Sequence, residues 1–186
     1  MMGKIAGILL AAGASVRFGE PKALVSLDGE RLVDRGVRVL REAGCAPVLV
    51  VTGAAPVETL GALIVPNAHW RDGMGSSLRA GLEALPPDCP AVVVTLVDQP
   101  GIGPEAVRLL IAEHRAGASA VAASFGGRGA EPLLVAREHF AALTASAVGE
   151  AGPRSYLHAH PVTLVPCDDV ASPDDLDSPG DLESLF

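Results

Sequence analysis

The residues at 10–22, LAAGASVRFGEPK, combine a run of small side chains with two cations. At 11–13 the side chains are small enough for backbone N–H groups to approach an anion, and Arg17 and Lys22 supply positive charge. This combination predicts a cradle for the phosphates of a nucleoside triphosphate. The spacing matches neither of the common glycine loops, GxxxxGKS/T and GxGxxG. A glycine turn with two surface cations is the alternative interpretation.

A second candidate segment, NAHWRDGMGSSLRAGL at 67–82, places two serines beside two glycines. Ser76 and Ser77 follow Gly73 and Gly75 at the predicted start of a helix. A helix N-terminus offers free N–H groups, and together with the hydroxyls it can hold a phosphate or the edge of a base. The alternative is that Ser76 only caps its own helix.

Carboxylates at two places in the chain could bind a metal ion. Asp98 directly follows an apolar run, in TLVDQP at 95–100, and a carboxylate at the end of a strand can hold a Mg²⁺ ion that is bound to phosphates. The segment 174–182, DDLDSPGDL, carries four aspartates, which repel one another unless water or a shared cation intervenes. Asp177 is the best candidate there for a second metal contact. The alternatives are an ordinary turn carboxylate at Asp98 and a negatively charged helix N-terminus at 174–182.

The pattern between these segments predicts an α/β fold with a mostly parallel sheet. Short, nearly continuous apolar runs alternate with segments whose apolar residues recur every three or four positions, as in strands covered by helices on both faces. The apolar runs lie at 5–10, 48–51, 63–65, 91–97 and 121–123, and the predicted helices contain 33–40, 78–85 and 107–114. Because ligands bind beyond the carboxyl ends of such strands, the segments that follow them are the candidate site.

The order of elements changes after residue 117. The segments 119–124 and 133–135 are predicted to form two antiparallel strands, joined by the FGGRG turn that contains Arg128. A hairpin turn is a better interpretation of FGGRG than a phosphate loop. The stretch 162–165 can return to the sheet, and Ser178 and Asp181 predict a capped final helix that contains Leu182 and Leu185.

Composition excludes several classes of protein. The 186 residues carry 14 Lys and Arg against 22 Asp and Glu, a formal net charge of −8, with a pI near 5.0. This acidity and an aromatic content of only 3% argue against nucleic acid as a partner. No apolar stretch approaches the roughly 20 residues of a membrane span. The length favours one domain over 1–186, and three widely spaced cysteines indicate reduced thiols in the cytoplasm.

Other patterns that could carry chemistry are weak. His158 and His160 are two positions apart, a spacing that would place both on one side of a strand, but no third ligand accompanies them. The sequence has neither a GxSxG nor an HExxH motif, so a serine hydrolase and a metalloprotease have no support.

Taken in order, LAAGASVRFGEPKALVSLDG, GMGSSLRAGL, VDQP and DLDSPGDL resemble the molybdenum cofactor cytidylyltransferases and related molybdopterin nucleotidyltransferases. The resemblance covers nearly the whole chain. It implies the nucleotide-diphospho-sugar transferase fold, a Rossmann-like three-layer α/β sandwich with a mostly parallel sheet and a small antiparallel excursion. It also implies a Mg²⁺-dependent transfer of a nucleoside monophosphate, with release of pyrophosphate.

The resemblance assigns a role to each matching position. The base and ribose of a nucleoside triphosphate would meet Leu10, Ala11, Ala12 and Gly13. The phosphates would meet Arg17 and Lys22, which with Asp98 form the candidate catalytic group. The metal ion would be held by Asp98 and Asp177. The meeting place of nucleotide and acceptor would be lined by Gly75, Ser76 and Ser77.

The resemblance also suggests substrates and partners. The related guanylyltransferases tend to have LAGG where this chain has LAAG, so Ala12 favours CTP over GTP. The acceptor would be molybdopterin-like, and transient contact with a molybdoenzyme or a chaperone is expected. Two departures lie on the acceptor side: GEAGPR at 149–154 replaces GDxGAR, and Glu131 replaces a histidine before Pro132. An acidic Glu131 beside an anionic pterin phosphate would be unfavourable.

Three alternatives remain open at this point. A sugar-1-phosphate nucleotidyltransferase would use the same nucleotide half. A non-catalytic nucleotide-binding accessory protein would bind the triphosphate without releasing pyrophosphate. An oxidoreductase with a dinucleotide fold would need a GxGxxG turn, which this chain lacks.

Overall fold

Seven strands form the main sheet in the computed structural model, which describes residues 3–184. They are β1 (Ala6–Leu10), β4 (Val48–Thr52), β5 (Leu63–Pro66), β6 (Ala91–Leu96), β7 (Ala120–Phe125), β8 (Arg128–Ala136) and β9 (Thr163–Pro166). Two short strands, β2 (Ser26–Leu27) and β3 (Glu30–Arg31), form a separate hairpin. The strand order in the main sheet is β5-β4-β1-β6-β8-β7-β9.

The sheet is parallel except at β8. Strands β5, β4, β1 and β6 pair in parallel, as do β7 and β9, whereas β8 runs antiparallel between β6 and β7. The buried stretches of β1, β4 and β6 carry apolar side chains on both faces, as the continuous apolar runs predict. The predicted α/β class, mostly parallel sheet and antiparallel excursion are confirmed.

The part of the chain that the structure describes contains six α-helices, and the first five cover the two faces of the sheet. They are α1 (Leu32–Glu42), α2 (Met74–Glu83), α3 (Pro104–Arg115), α4 (Phe140–Ser146), α5 (Pro153–Ala159) and α6 (Pro179–Glu183). One apolar cluster lies between the sheet and α1 with α3, and a second lies between the opposite face and α2, α4 and α5. This arrangement gives the predicted three layers. The patterns did not predict α4 and α5, because a helix of seven residues spans too few turns to show a period.

Three predicted features of the last third of the chain are present: a hairpin, a strand that returns to the sheet and a capped final helix. The FGGRG segment is a hairpin turn between β7 and β8, with Gly126 and Gly127 at φ of 56° and 78°. Helix α6 begins with the expected capping box of Ser178 and Asp181, while Leu185 lies outside the described residues. His158 and His160 do not share one side of a strand, since His158 lies in α5 and the next strand begins only at 163.

Two further expectations concern the environment of the chain. The three cysteines are free and buried. Among residues 3–184, no helix is both long enough and apolar enough to cross a membrane.

Candidate functional site

A cavity of about 460 Å³ opens at the carboxyl ends of β1 and β6. Its floor is formed by residues 10–16 and 96–98, which follow those two strands, and Lys22 lies at its edge. Trp70, Ser77 and Glu150 contribute to the other walls. The strand ends meet here because β1 and β6 are adjacent and parallel, with Leu10 opposite Leu96. This is the edge of the sheet at which the sequence predicts a site.

Lys22 bridges two carboxylates that are distant in sequence. Its Nζ donates hydrogen bonds to Asp98 Oδ2 at 2.9 Å and to Asp177 Oδ1 at 3.0 Å. Asp98 follows β6, and Asp177 belongs to an irregular stretch that precedes α6. The structure therefore brings together three candidate residues that the sequence placed in separate segments. The bond to Asp177 is at the surface, since that side chain is 55% exposed, whereas Lys22 and Asp98 are 15% and 22% exposed.

The electrostatics of this group leave an excess of negative charge. Burial raises the pKa of Asp98 above its usual value, and attraction to Lys22 offsets only part of this effect, because Asp175 and Asp177 add negative charge nearby. Burial alone would lower the pKa of Lys22, but its contacts with Asp98 and Asp177 raise it. One ammonium thus contacts two carboxylates, and the carboxylate of Asp175 adds a third negative charge near Asp98, an arrangement that favours a further cation.

The donor set fits a divalent cation that is shared with phosphates. Mg²⁺ is usually held by one or two protein carboxylates together with water and substrate phosphate oxygens. Asp98 and Asp177 supply two carboxylates on either side of Lys22 Nζ. Within residues 3–184 no group of three or more His, Cys, Asp or Glu side chains has the arrangement of an all-protein metal site. A metal ion at this position would therefore need ligands from the nucleotide.

The loop after β1 offers backbone donors to the cavity. Among the described residues, the N–H groups of Gly13 and Ala14 have no hydrogen-bond acceptor. Ser15 adopts the left-handed conformation at φ 54°, and its Oγ accepts a hydrogen bond from the Lys22 N–H at 3.1 Å. That bond closes the loop and fixes the backbone of Lys22. The loop thus has the free donors and the open backbone that a phosphate cradle requires.

Several predicted site residues lie at this cavity, and others do not. The cavity is lined by Leu10, Ala11, Ala12, Gly13, Lys22, Ser77 and Asp98. Arg17 lies on the same loop in the short turn Val16–Phe18, where it is exposed and does not line the cavity.

Gly75 and Ser76 are buried in the first turn of α2 and do not line the cavity either. A Cβ at Gly75 would lie 2.6 Å from the backbone of Ala147, so close packing explains this glycine. The Ser76 hydroxyl bonds to the carbonyls of His69 and Gly73 and accepts from Asn67. Ser76 is not the N-cap, because the helix begins at Met74 and Gly73 occupies that position.

Sequence reasoning gave no role to four residues of the site. Ser15 closes the cradle loop, Trp70 and Glu150 line the cavity, and the Arg71 guanidinium lies 4.4 Å from the centre of the Trp70 ring. The signal for Trp70 was available, because it is the single tryptophan of the chain and lies within the quoted segment 67–82. Ser15 and Glu150 also lie within quoted segments, 10–22 and 149–154, but their roles depend on loop conformation, which the sequence does not specify.

The two acceptor-side departures meet in the structure. Glu131 is 2% exposed, and its Oε2 accepts a hydrogen bond from Arg154 Nη2 at 3.2 Å. Arg154 lies at the start of α5 and is the arginine of GEAGPR. The carboxylate of Glu131 is therefore buried and paired with a partly exposed guanidinium.

Comparison with known proteins finds a matching family model and two similar curated proteins. A model of the MobA-like NTP transferase domain matches residues 7–165. The "Nicotine blue oxidoreductase" of Paenarthrobacter nicotinovorans is 34% identical over 94% of this chain and 92% of its own length. A "Probable molybdenum cofactor guanylyltransferase" of Bacillus cereus is 32% identical over 73% of this chain and 68% of its own length.

A solved structure has the same fold over nearly the whole chain. It is the homologue, from Mycobacterium sp. strain JC1, of the Mycobacterium tuberculosis protein Rv0371c. It is 32% identical, with a TM-score of 0.82, over 97% of this chain and 94% of that one. The similarity to this structure therefore extends beyond residue 165.

Proposed function

Because the chain belongs to the MobA-like NTP transferase family, a family of nucleotidyltransferases, we propose that it transfers a nucleoside monophosphate from a nucleoside triphosphate to a phosphate-monoester acceptor. The observation that carries this proposal is the position of Lys22, whose Nζ lies between Asp98 and Asp177 at the edge of the cavity. That arrangement would supply a cation for the triphosphate and two carboxylates for a metal ion bound to it.

The proposed reaction is an in-line substitution at the α-phosphorus. An oxygen of the acceptor phosphate forms the new P–O bond, the bond between the α-phosphorus and its bridging oxygen breaks, and pyrophosphate leaves. The second pKa of a phosphate monoester is about 6, so the attacking group is already an anion at neutral pH. No general base is needed, which is consistent with a cavity whose lining includes no histidine.

The main barrier is the repulsion between two polyanions. At about 4 Å, two unit charges repel by about 4 kcal/mol at an effective dielectric constant of 20. The free N–H groups of Gly13 and Ala14 would bind phosphate oxygens, and Lys22 would exchange its carboxylate partners for them when the nucleotide binds. Asp98 and Asp177 would hold a Mg²⁺ ion, which supplies charge neutralisation and orientation of the triphosphate. Arg17, exposed on the same loop, is proposed as a second phosphate contact.

We further propose CTP as the nucleotide and a molybdopterin-like acceptor. Ala12 lines the cavity and is 8% exposed, so its methyl group occupies space that a glycine would leave to a larger purine. The relatives named guanylyltransferases support a pterin acceptor but not the choice of base. A molybdoenzyme or a chaperone that receives the product is the expected protein partner, and the three buried thiols are consistent with the cytoplasm.

The test is pyrophosphate release from each of the four ribonucleoside triphosphates, with and without molybdopterin and with and without Mg²⁺. We expect release with CTP only when both are present. Binding of CTP without release under any condition would instead support a non-catalytic nucleotide-binding protein. Release of pyrophosphate with a sugar 1-phosphate in place of molybdopterin would support nucleotidyl transfer but identify a different acceptor.

A second candidate function is an oxidoreductase, because the relative named as one matches over nearly the entire length of this chain. This chain lacks the GxGxxG turn of the common dinucleotide site, so an oxidoreductase with this sequence would have to bind its cofactor in another way. The discriminating assay is oxidation of NADH and NADPH, followed by absorbance, with quinone and dye acceptors. Steady oxidation without pyrophosphate release from any triphosphate would replace the first proposal with this one.

A further inference from the structure

The stretch that carries Asp177 has no regular secondary structure of its own. Residues 171–177 form neither helix nor strand, yet Asp177 has to stay beside Lys22. Two backbone hydrogen bonds attach the stretch to the loop after β6: the Leu176 N–H donates to the Asp98 carbonyl at 2.8 Å, and the Ser172 N–H donates to the Gly101 carbonyl at 3.2 Å. Between these two bonds, the backbone of residues 173–175 makes no backbone–backbone hydrogen bond to the loop after β6 among the described residues.

One side chain spans that gap. Gln99 is 4% exposed, and its Nε2 donates to Asp175 Oδ1 at 3.0 Å and, at a longer 3.4 Å, to the Pro173 carbonyl. Its Oε1 is buried and has no hydrogen-bond partner among the described residues. An acceptor left unpaired in a buried position is unfavourable. The amide therefore acts at this position through its two donor hydrogens, both of which bond to the irregular stretch.

The contact also separates three like charges. Asp98, Asp175 and Asp177 lie close enough that Asp175 and Asp177 both raise the pKa of Asp98. Lys22 satisfies two of these carboxylates and Gln99 satisfies the third. Without the amide, Asp175 would be free to compete with Asp177 for Lys22.

We infer that Gln99 is a positioning residue: its side-chain amide clamps Asp175 and the 173–177 stretch, and so keeps Asp177 paired with Asp98 as the metal-binding carboxylates. The metal-binding role of the two carboxylates rests on the proposed function. The hydrogen bond from Gln99 to Asp175 does not, because it joins two residues of this chain. It adds a role for the glutamine of VDQP that neither the sequence motif nor the cavity lining indicated.

The test uses variants that separate the hydrogen bond from the charge. Gln99→Met removes the donors at nearly constant volume, and Asp175→Ala removes the acceptor. Asp175→Asn removes the charge but keeps an oxygen that can accept from Nε2. Asp174→Ala is the matched control, because Asp174 is an acid of the same stretch that bonds to Ser172 and not to Gln99. Asp175 is exposed, so its carboxylate can be hydrated in Gln99→Met and the fold is expected to survive.

Two measurements decide the outcome. Hydrogen exchange of the peptide that contains the Leu176 amide should become faster in Gln99→Met and Asp175→Ala, and stay at the parent rate in Asp175→Asn and Asp174→Ala. The affinity for Mn²⁺ alone, measured by electron paramagnetic resonance without nucleotide, should fall about 10–100-fold in the first two variants, as for other residues that orient metal ligands. The double variant Gln99→Met/Asp175→Ala should show the same exchange rate and the same Mn²⁺ affinity as either single variant, because both substitutions remove the same hydrogen bond.

Unchanged exchange in Gln99→Met overturns the clamp. Equal losses of Mn²⁺ affinity in Asp175→Asn and Asp175→Ala would overturn it too, because charge and not the hydrogen bond would then set the affinity. If the parent protein itself binds no Mn²⁺, the metal part of the proposed function fails, and the exchange rates alone decide whether Gln99 holds the stretch.

Discussion

Replacing Lys22 by methionine separates its proposed catalytic role from its contribution to stability. The Asp98 and Asp177 oxygens both lie within 3.0 Å of Nζ, so they are no more than about 6 Å apart. Without the ammonium they repel by about 3 kcal/mol at an effective dielectric constant of 20. Because Asp177 is 55% exposed, solvent reduces this to about 1 kcal/mol of stability. For a chain of this length, that corresponds to a melting temperature lower by about 2–4 °C.

The expected loss of activity is much larger. Removing one charged donor to the developing negative charge of a transition state costs about 10²–10³-fold in kcat. Pyrophosphate release at saturating nucleotide should therefore fall by about that factor in Lys22→Met, while the protein remains folded at the assay temperature. Lys4→Met is the matched control, because Lys4 is the other lysine of the chain and is exposed. Lys22→Arg, which keeps the charge, should retain more activity than Lys22→Met.

The pH dependence of the variant gives a second readout. The pKa of Asp98 is already raised, and loss of Lys22 raises it further because an attractive charge is removed. A carboxyl whose pKa is raised by folding contributes most to the free energy of unfolding at low pH, and this contribution is lost as pH rises through the folded-state pKa. Lys22→Met should thus gain stability relative to the parent as pH falls from neutral. Turnover within tenfold of the parent, or no such gain, would refute the role of Lys22 argued here.

Three further predictions follow from the same geometry. Asp98→Asn should abolish Mg²⁺-dependent pyrophosphate release yet leave the melting temperature within a few degrees of the parent, because it also removes a buried charge; retained release would contradict metal binding by Asp98. Ala12→Gly should shift a CTP and GTP competition assay towards GTP, and equal use of both by the parent would rule out the proposed preference. Arg154→Met should lower the free energy of unfolding in urea by about 2 kcal/mol or more, since Glu131 is left buried without its partner, and adding Glu131→Gln should restore most of the loss.

The pairing of Glu131 with Arg154 changes how the acceptor side is understood. In sequence, Glu131 stands where the resembling proteins have a histidine, and a carboxylate there argues against a phosphorylated acceptor. In the structure this carboxylate is 2% exposed and bonded to a guanidinium that is itself 55% exposed. The exposed part of that guanidinium remains available to an anion. The local electrostatics therefore depend on the pair and cannot be judged from either residue alone.

The sequence by itself determined the layers of the fold and the edge of the sheet where the site lies. Continuous apolar runs predicted β1, β4 and β6, because strands buried on both faces admit no polar alternation. The glycines of FGGRG predicted the turn between β7 and β8, because positive φ angles favour that residue. These features depend on neighbours close in sequence, which is why local patterns reveal them.

Only the tertiary structure decided which side chains meet. Lys22 lies 76 residues from Asp98 and 155 from Asp177, and no local period records such a pairing. The same holds for Gln99 with Asp175 and for Glu131 with Arg154. Conversely, Gly75 and Ser76 matched a motif but do not line the cavity. Gly75 packs closely against the backbone of Ala147, and the Ser76 hydroxyl bonds to groups inside the protein. The physical reason is that irregular loops, positioned by long-range contacts, set the distances on which the chemistry of this site depends.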